Sequence, residues 1–431
     1  MTATAHDDHA VQFPDATIDP SPVKKVAFLA TVVGAIAFVG LGIANFGIVH
    51  EHGLRDFFVA YLVGFVFWVS LPLGSLALMN LGFLGSASWG VVLRRVFQAS
   101  TRTLPVVVVL FIPLALSLFI ADGKESPYWW TDHTWEGEVS EVVKATHLRP
   151  EAVEENQHKI HDYLSPGFFV LRTLIYIGIM GYVAFCVLKW SKANEENDDE
   201  VAYGKLRGLA GPALILWAFA GTPIITDWVM SVEPTWASSM FPVVYGMNQF
   251  VTAFALSVFV VYTLLGNKPE VMGIIKDKLR IDMGSLVFGF TMVWAYATFC
   301  QYMLIWAGNL PEEVAYYRKR ADHGWQYMCY FLMAFHWLAP FVIFLFREVK
   351  TDPRKMKTMC VLLILVCSAD VVWWIVPAWP HPDGGLHVLM AFAAVVMLGG
   401  LWGLVFAREL GRYPILPSNR EGKFLASWGH H

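Results

Sequence analysis

Ten long apolar stretches run along this chain of 431 residues, and they constrain its fold more than any other feature. A helix needs roughly 20 mostly apolar residues to cross a bilayer, because the hydrocarbon core holds no water to bond exposed backbone groups. Charged residues make up only 15% of the chain, against about 25% in soluble domains. The sequence therefore predicts an all-α polytopic membrane protein with ten spans, at 26–49, 57–80, 104–120, 168–188, 208–228, 240–265, 284–307, 325–346, 357–377 and 386–407.

The basic residues predict the orientation of these spans, because cytoplasmic loops are enriched in Lys and Arg. If the N-terminus is inside, the inner segments hold 22 basic residues and the outer segments hold 8, while Arg172 lies within span four. Seven tryptophans fall near the outer boundary, as an aromatic belt does: Trp129, Trp130, Trp228, Trp236, Trp306, Trp325 and Trp379. We expect polar cytoplasmic tails at 1–23 and 413–431 around a membrane domain at 24–412, and no cleavable signal peptide.

The longest predicted loop, at 121–166, lies on the outer side between spans three and four. It carries ten acidic residues against four basic ones, and its part at 135–163 is typical of one or two short amphipathic helices. Long loops in compact folds are usually functional or disordered. The pattern fits either a solvated loop or a docking surface for another protein.

The five cysteines give no sign of a bound metal or a covalent cofactor. Cys186, Cys300, Cys329, Cys360 and Cys367 all fall in predicted spans, and none forms a C-x-x-C or C-x-x-C-H motif. Such motifs hold structural zinc, iron–sulfur clusters and covalent haem. We expect buried, inert thiols and no metal ligand in this chain.

One internal repeat is visible. The pattern D-x6-P-x-W begins at Asp227 and again at Asp370, 143 residues later, and both copies close a span that runs outward. Repeated bundles are common in membrane proteins that move ions. The repeat favours two four-helix bundles, spans two to five and spans six to nine, flanked by spans one and ten; coincidence is the alternative.

Ionisable groups inside spans cost roughly 2.5–3.5 kcal/mol on insertion scales, so they usually face the bundle interior and have partners. Arg172 in span four and Asp227 in span five lie at comparable depth, which predicts an ion pair with either a structural or a functional role. Asp370 has no basic residue in its own span except Lys357 at the inner end. His336, the only histidine deep in a span, lies on the preceding helix, so these two predict a proton relay.

Other polar side chains concentrate in the outer half of the spans, which predicts an outward-facing polar cavity. They are Asn45, His50, Asn248, Gln249, Gln301, Tyr302 and His387. With the two charged pairs and the outer Glu233, this half supplies the candidate proton-path residues Asp370, His336, Asp227, Arg172, Glu233, His387, Gln301 and Tyr302. No residue is expected to be catalytic. Haem b bound by two histidines is not expected, because only His336 is deep.

The segments YLSPGFFVLRTLIYIGIMGYV (163–183) and TDWVMSVEPTWASSMFPVVYGM (226–247) resemble the ActF family, whose members are membrane components of alternative complex III and belong to the NrfD-like, polysulfide-reductase-like proteins. The resemblance covers about 24–412. Its most specific part holds the motif residues Asp227, Trp228, Glu233, Pro234 and Trp236. It implies two four-helix bundles flanked by two further helices, in a bacterial inner membrane.

The resemblance also implies a respiratory complex that oxidises quinol and reduces a cytochrome c or an oxidase. Its iron–sulfur subunit, its haem c subunits and a second, related NrfD-like membrane subunit would be the partners of this chain, together with the lipid bilayer. Iron–sulfur clusters and haem c would belong to those partners. Quinone binding by this chain stays open, and no nucleic-acid partner is expected.

Three functions therefore remain as hypotheses. The first is a non-redox membrane subunit of such a complex that conducts protons, since quinol oxidation releases protons that some group must accept. The second is a stand-alone secondary transporter or ion exchanger, although no pair of Gly/Pro-broken helices lies at matching midplane positions. The third is a structural scaffold.

Overall fold

The computed structural model describes residues 19–48, 53–132, 139–140, 150–266, 273, 275–322, 324–379 and 384–416. All regular structure in these ranges is helical. Ten helices are long and apolar enough to cross a membrane, so the chain is an all-α, multi-pass membrane protein. Spans one to ten are Ser21–Gly47, Gly53–Leu84, Ser88–Ser117, Pro166–Asn197, Glu200–Val232, Phe241–Leu264, Asp277–Gly308, Trp325–Phe344, Pro353–Ala378 and Gly385–Leu410.

Among the described residues, three shorter α-helices lie between the spans, at Pro150–Asp162, Pro311–Ala321 and Arg347–Thr351. Because the number of spans is even, span one begins and span ten ends on the same side, which we call the near face; the opposite side is the far face. The expected tails at 1–23 and 413–431 lie mostly outside the described residues, as do His50 and much of the acidic loop.

Span three corrects the sequence prediction. It begins at Ser88 rather than at 104, and its helix is interrupted at Arg102 and Thr103. The hydropathy pattern missed its first half because two arginines lie there. Both are accommodated: Arg94 stacks on the ring of Phe83 at 4.7 Å, and Arg95 forms an ion pair with Glu195 in the helix of span four.

Span two lies at the centre of the molecule and is covered by protein along nearly its whole length. It packs against spans three and five on one side and against span six on the other, while span six packs against spans seven and nine. Span one packs along span ten, which contacts span two. This arrangement agrees with two four-helix bundles, spans two to five and six to nine, that meet through spans two and six.

Glycines allow the central helices to approach closely, as small residues do in membrane helix pairs. A Cβ on Gly74 of span two would lie 2.5 Å from the carbonyl oxygen of Gln249 in span six. A Cβ on Gly34 of span one would lie 2.4 Å from the backbone nitrogen of Met397 in span ten. Real Cβ atoms do not approach so closely, and the contact between the two bundles therefore depends on Gly74.

The two copies of the D-x6-P-x-W pattern have the same local structure. In the first copy an α-helix ends at Trp228 and a 3₁₀ turn follows at Met230–Val232. In the second an α-helix ends at Ile375 and a 3₁₀ turn follows at Val376–Ala378. Both turns close the last helix of their bundle at the far face, so the sequence repeat has a structural counterpart.

Span eight is irregular at its middle. The residues Met333–Leu338 form a π-helix between α-helices at Trp325–Leu332 and Ala339–Phe344. A π-helix widens the turn and re-aims the side chains on it, and such segments are frequent at functional sites. His336 lies in this segment and is fully buried.

Candidate functional site

The π-helical segment of span eight points His336 at Asp370 of span nine. Nδ1 of the imidazole lies 3.1 Å from Oδ2 of the carboxyl group, and both side chains are almost completely buried. The predicted proximity of these two residues is therefore confirmed. A histidine and a carboxyl group in contact inside a membrane form a typical proton-exchanging pair.

Three neighbours hold this pair in place. The amide of Asn248 in span six donates hydrogen bonds of 3.2 Å to Oδ2 of Asp370 and to the carbonyl oxygen of Cys367. The indole of Trp294 in span seven stacks on the imidazole with ring centroids 3.6 Å apart. Sγ of Cys367 lies 3.7 Å from Nε2 of His336. All four helices of the second bundle thus contribute to one polar cluster, which we call the His336–Asp370 site.

Arg172 and Asp227 form the ion pair that is predicted from their similar depth in the membrane. The guanidinium donates from Nε to Oδ2 at 3.0 Å and from Nη2 to Oδ1 at 3.1 Å, a bidentate arrangement. Nη1 donates to the carbonyl oxygen of Tyr163, and the guanidinium stacks on the ring of the same tyrosine at 3.8 Å. Because Asp227 has no exposed surface, this arginine supplies the neutralising charge that water would otherwise supply.

The two charged pairs occupy equivalent places in the two bundles. Arg172 and Asp227 lie on the third and fourth helices of the first bundle, and His336 and Asp370 lie on the third and fourth helices of the second. A guanidinium does not lose its proton in proteins, whereas an imidazole does so in the physiological range. The first pair is therefore a permanent clamp, and the second is able to gain and lose a proton.

Glu233 lies within the first copy of the repeat, directly before Pro234, and is 6% exposed. It forms ion pairs with Lys319 at 2.9 Å and with Arg320 at 3.0 Å. Burial raises the pKa of this carboxyl, but the charges of Arg320 and Lys319 and their hydrogen bonds outweigh that effect and hold it below its usual range. Glu233 is therefore an ionised anchor for the helix Pro311–Ala321 at the far face.

Arg320 is the residue that sequence reasoning missed here. It was counted among the loop charges, yet it is 2% exposed and donates to the backbone carbonyl oxygens of Trp373 and Trp374 at the end of span nine. Its guanidinium also lies 3.4 Å from the centroid of the Tyr316 ring. The aromatic sequence around it was the available signal, because arginine stacks on aromatic rings.

The remaining motif residues are structural in their contacts. The Trp228 indole donates to the hydroxyl of Thr173 at 3.1 Å. The carbonyl oxygen of Pro234 accepts a hydrogen bond from Lys159 at 2.8 Å. Trp236 stacks on Tyr316 with ring centroids 3.9 Å apart. These contacts tie the first copy of the repeat to the far-face helices Pro150–Asp162 and Pro311–Ala321.

His387 lies beside a carboxyl group that the sequence analysis did not single out. Its Nε2 is 3.0 Å from Oδ2 of Asp56 at the start of span two, and Asn45 of span one donates to the same oxygen at 2.8 Å. Asp56 was missed because it lies just outside the predicted span. Span ten thus places its histidine in a second buried polar cluster, against spans one and two rather than beside Asp370.

Gln301 and Tyr302 lie near the far end of span seven. The Gln301 amide donates to the hydroxyl of Tyr317 at 3.3 Å, and the ring of Tyr302 meets that of Tyr317 edge-on. Tyr302 is 39% exposed at the protein surface. The structure therefore gathers these two residues around Tyr317 of the far-face helix rather than around His336.

Within the described ranges, no group of three or more His, Cys, Asp or Glu side chains is arranged to hold a metal ion. The five cysteines are free thiols. Cys360 and Cys367 are buried as expected, but Cys186, Cys300 and Cys329 are only half-buried, because they lie on helices whose outer surfaces face away from the bundle. Cys367 differs from the others by its contact with His336.

No protein-family model matches this chain, and no curated protein matches it.

Proposed function

We propose that this chain is a non-redox membrane subunit of a quinol-oxidising respiratory complex of the alternative complex III type. The resemblance of its two segments, 163–183 and 226–247, to the ActF family supports this proposal. In that setting it resides in a bacterial inner membrane with both termini in the cytoplasm. The near face is then cytoplasmic and the far face is the outer side, in agreement with the distribution of basic residues.

The contribution of the chain to that complex is a proton-conducting path through the His336–Asp370 site. The contact of 3.1 Å between imidazole and carboxyl group, buried in a four-helix bundle, is the observation that carries this proposal. A neutral imidazole beside a carboxylate has a net charge of −1; uptake of one proton makes the pair neutral, and its release restores the first state. Protons set free by quinol oxidation require such acceptors near the outer side.

The proposed partners carry the electrons. They are an iron–sulfur subunit, haem c subunits and a related NrfD-like membrane subunit, with the surrounding lipids. The quinol is oxidised next to this chain rather than by it, and the His336–Asp370 site exchanges only protons.

The decisive experiment measures quinol:cytochrome c turnover and outer-side proton release in vesicles that contain the intact complex with Asp370→Asn. Asparagine keeps the size of the side chain but does not accept a proton. We expect a severalfold fall in turnover or in proton yield, with the complex assembled. The matched control is Glu409→Gln, which neutralises another largely buried carboxyl group. Glu409 lies close to the near face and forms an ion pair of 2.7 Å with Arg412. Unchanged turnover and proton yield in Asp370→Asn would favour a scaffold.

A stand-alone transporter is the second candidate, and one observation favours it. The equivalent charged pairs in the two bundles are the type of internal repeat that transporters contain. Copurification distinguishes the two functions: a complex subunit brings cytochromes with it when tagged and extracted in mild detergent, and a transporter is obtained alone and stable.

A further inference from the structure

The imidazole of His336 has a polar neighbour on each of its two nitrogens. Asp370 lies beside Nδ1 and Cys367 lies beside Nε2, and these two neighbours are three residues apart on the same face of span nine. The ring is therefore held between two side chains of a single helix. We propose that the Cys367 thiol is a positioning residue that keeps neutral His336 in its Nδ1–H form, completing a buried Cys–His–Asp triad.

The contact of 3.1 Å between Nδ1 and Oδ2, with Asp370 ionised as in the proposed pair, assigns this tautomer. An ionised carboxyl group only accepts hydrogen bonds, and Oδ2 of Asp370 already accepts one from Asn248. The imidazole nitrogen that faces the same oxygen must therefore donate, which places the proton on Nδ1. Nε2 is then left as an acceptor, and its polar neighbour among the described residues is the Cys367 thiol.

A thiol suits this position because it is both a weak donor and a weak acceptor. It donates to Nε2 when the ring is neutral, and it rotates to accept from Nε2 when the ring is charged. A stronger acid or base here would compete with Asp370 for the proton. The thiol therefore holds the ring without taking part in the exchange.

Two further contacts fix the geometry of the triad. Asn248 donates to the backbone carbonyl oxygen of Cys367 as well as to Asp370, so one amide fixes the turn of span nine that carries both. Trp294 stacks on the face of the imidazole and opposes rotation of the ring. The ring therefore has one preferred orientation, in which Nδ1 faces Asp370 and the thiol supports the Nδ1–H tautomer by donating to Nε2.

The tautomer of His336 does not depend on the proposed function, but its consequence for proton transfer rests on it. Cys367 lies one turn closer to the near face than Asp370 on span nine. With the proton on Nδ1, the imidazole presents its N–H toward Asp370 and thus toward the far side of the path. Loss of the thiol would allow the other tautomer and weaken this contact with Asp370.

Nitrogen-15 solid-state NMR of the full-length chain in lipid bilayers tests the tautomer directly, because protonated and unprotonated imidazole nitrogens give well-separated signals. The signals of His336 are identified by their loss in His336→Gln. We expect an Nδ1–H ring in the wild type and in Cys367→Ser, and a mixture of both tautomers in Cys367→Ala. Cys360→Ala is the matched control, because Cys360 is equally buried on the same helix, two turns away.

An Nε2–H ring in the wild type, or an unchanged Nδ1–H ring in Cys367→Ala, would overturn the inference. Outer-side proton release by the intact complex separates this result from the proposed function. A changed tautomer in Cys367→Ala together with normal proton release in Asp370→Asn supports the positioning role and contradicts the proton path. Loss of proton release in Asp370→Asn together with an unchanged tautomer in Cys367→Ala supports the proton path and contradicts the positioning role of Cys367.

Discussion

The Arg172–Asp227 pair allows a quantitative test of how the first bundle is held together. Replacing Arg172 by Met keeps a long apolar side chain but leaves the fully buried Asp227 without its counter-charge. Breaking a buried ion pair from one side costs about 3–5 kcal/mol, because the remaining charge is neither solvated nor paired. At about 1.4 kcal/mol per tenfold change, the unfolding equilibrium constant should rise by roughly two to three and a half orders of magnitude.

The double variant Arg172→Met/Asp227→Asn should recover much of this loss, because no uncompensated charge remains. Recovery will be incomplete, since Arg172 also donates to the carbonyl oxygen of Tyr163 and stacks on its ring. A hydrogen bond of this kind contributes about 1 kcal/mol. Reversible unfolding of the purified chain in mixed micelles, carried out as a double-mutant cycle, measures the coupling energy. If the two single effects simply add, the pair does not stabilise the bundle and the reasoning is wrong.

Three further predictions concern other parts of the fold. The ionised Glu233 stabilises the far face, and its pKa in the folded protein is below its usual value near 4.5. Its contribution to stability is therefore fully present above the pKa of the unfolded chain, and it is lost as the pH falls through the pKa of the folded protein. The melting temperature of Glu233→Gln should therefore depend less on pH in this acid range than that of the wild type, and parallel pH profiles would contradict this. Gly74→Leu should separate spans two and six and lower the free energy of unfolding by about 1–3 kcal/mol or more, which is measured as a loss of folded protein. Gly178→Leu should be tolerated, because a side chain at Gly178 would meet nothing within 4 Å. Asp199 caps span five by accepting from the backbone nitrogens of Val201 and Ala202, so Asp199→Ala should lower the unfolding free energy by about 1 kcal/mol, measured by the same unfolding assay.

The sequence predicted the number of spans and both charged pairs, because hydropathy reports which segments cross the membrane and the position of a residue within a span reports its depth. Arg172 and Asp227 could be matched in this way, as could His336 and Asp370. Depth does not report rotation about the helix axis. His387 was predicted as a proton-path residue from its depth, but its side chain contacts Asp56 of span two rather than Asp370.

Arg320 and the first half of span three were missed for a different reason. A hydropathy pattern treats charged residues as signs of contact with water, but Arg320 is buried under the end of span nine and Arg95 is paired with Glu195 inside the protein. Partners on distant segments decide whether a charge is solvated, and a single sequence does not show those partners. The resemblance to the ActF family and the respiratory role it implies remain predictions.

In the proposed function, the two equivalent pairs give one repeated architecture a fixed half and a proton-exchanging half. The aspartate near the far end of the last helix lies inside the membrane in both bundles, and such a group usually has a polar or charged partner. With arginine as the partner, in Arg172, the pair is neutral at all times and the bundle is locked. With histidine, in His336, the same position alternates between a charged and a neutral pair. In the proposed function, the choice between arginine and histidine at this one place therefore decides which bundle holds the structure and which carries protons.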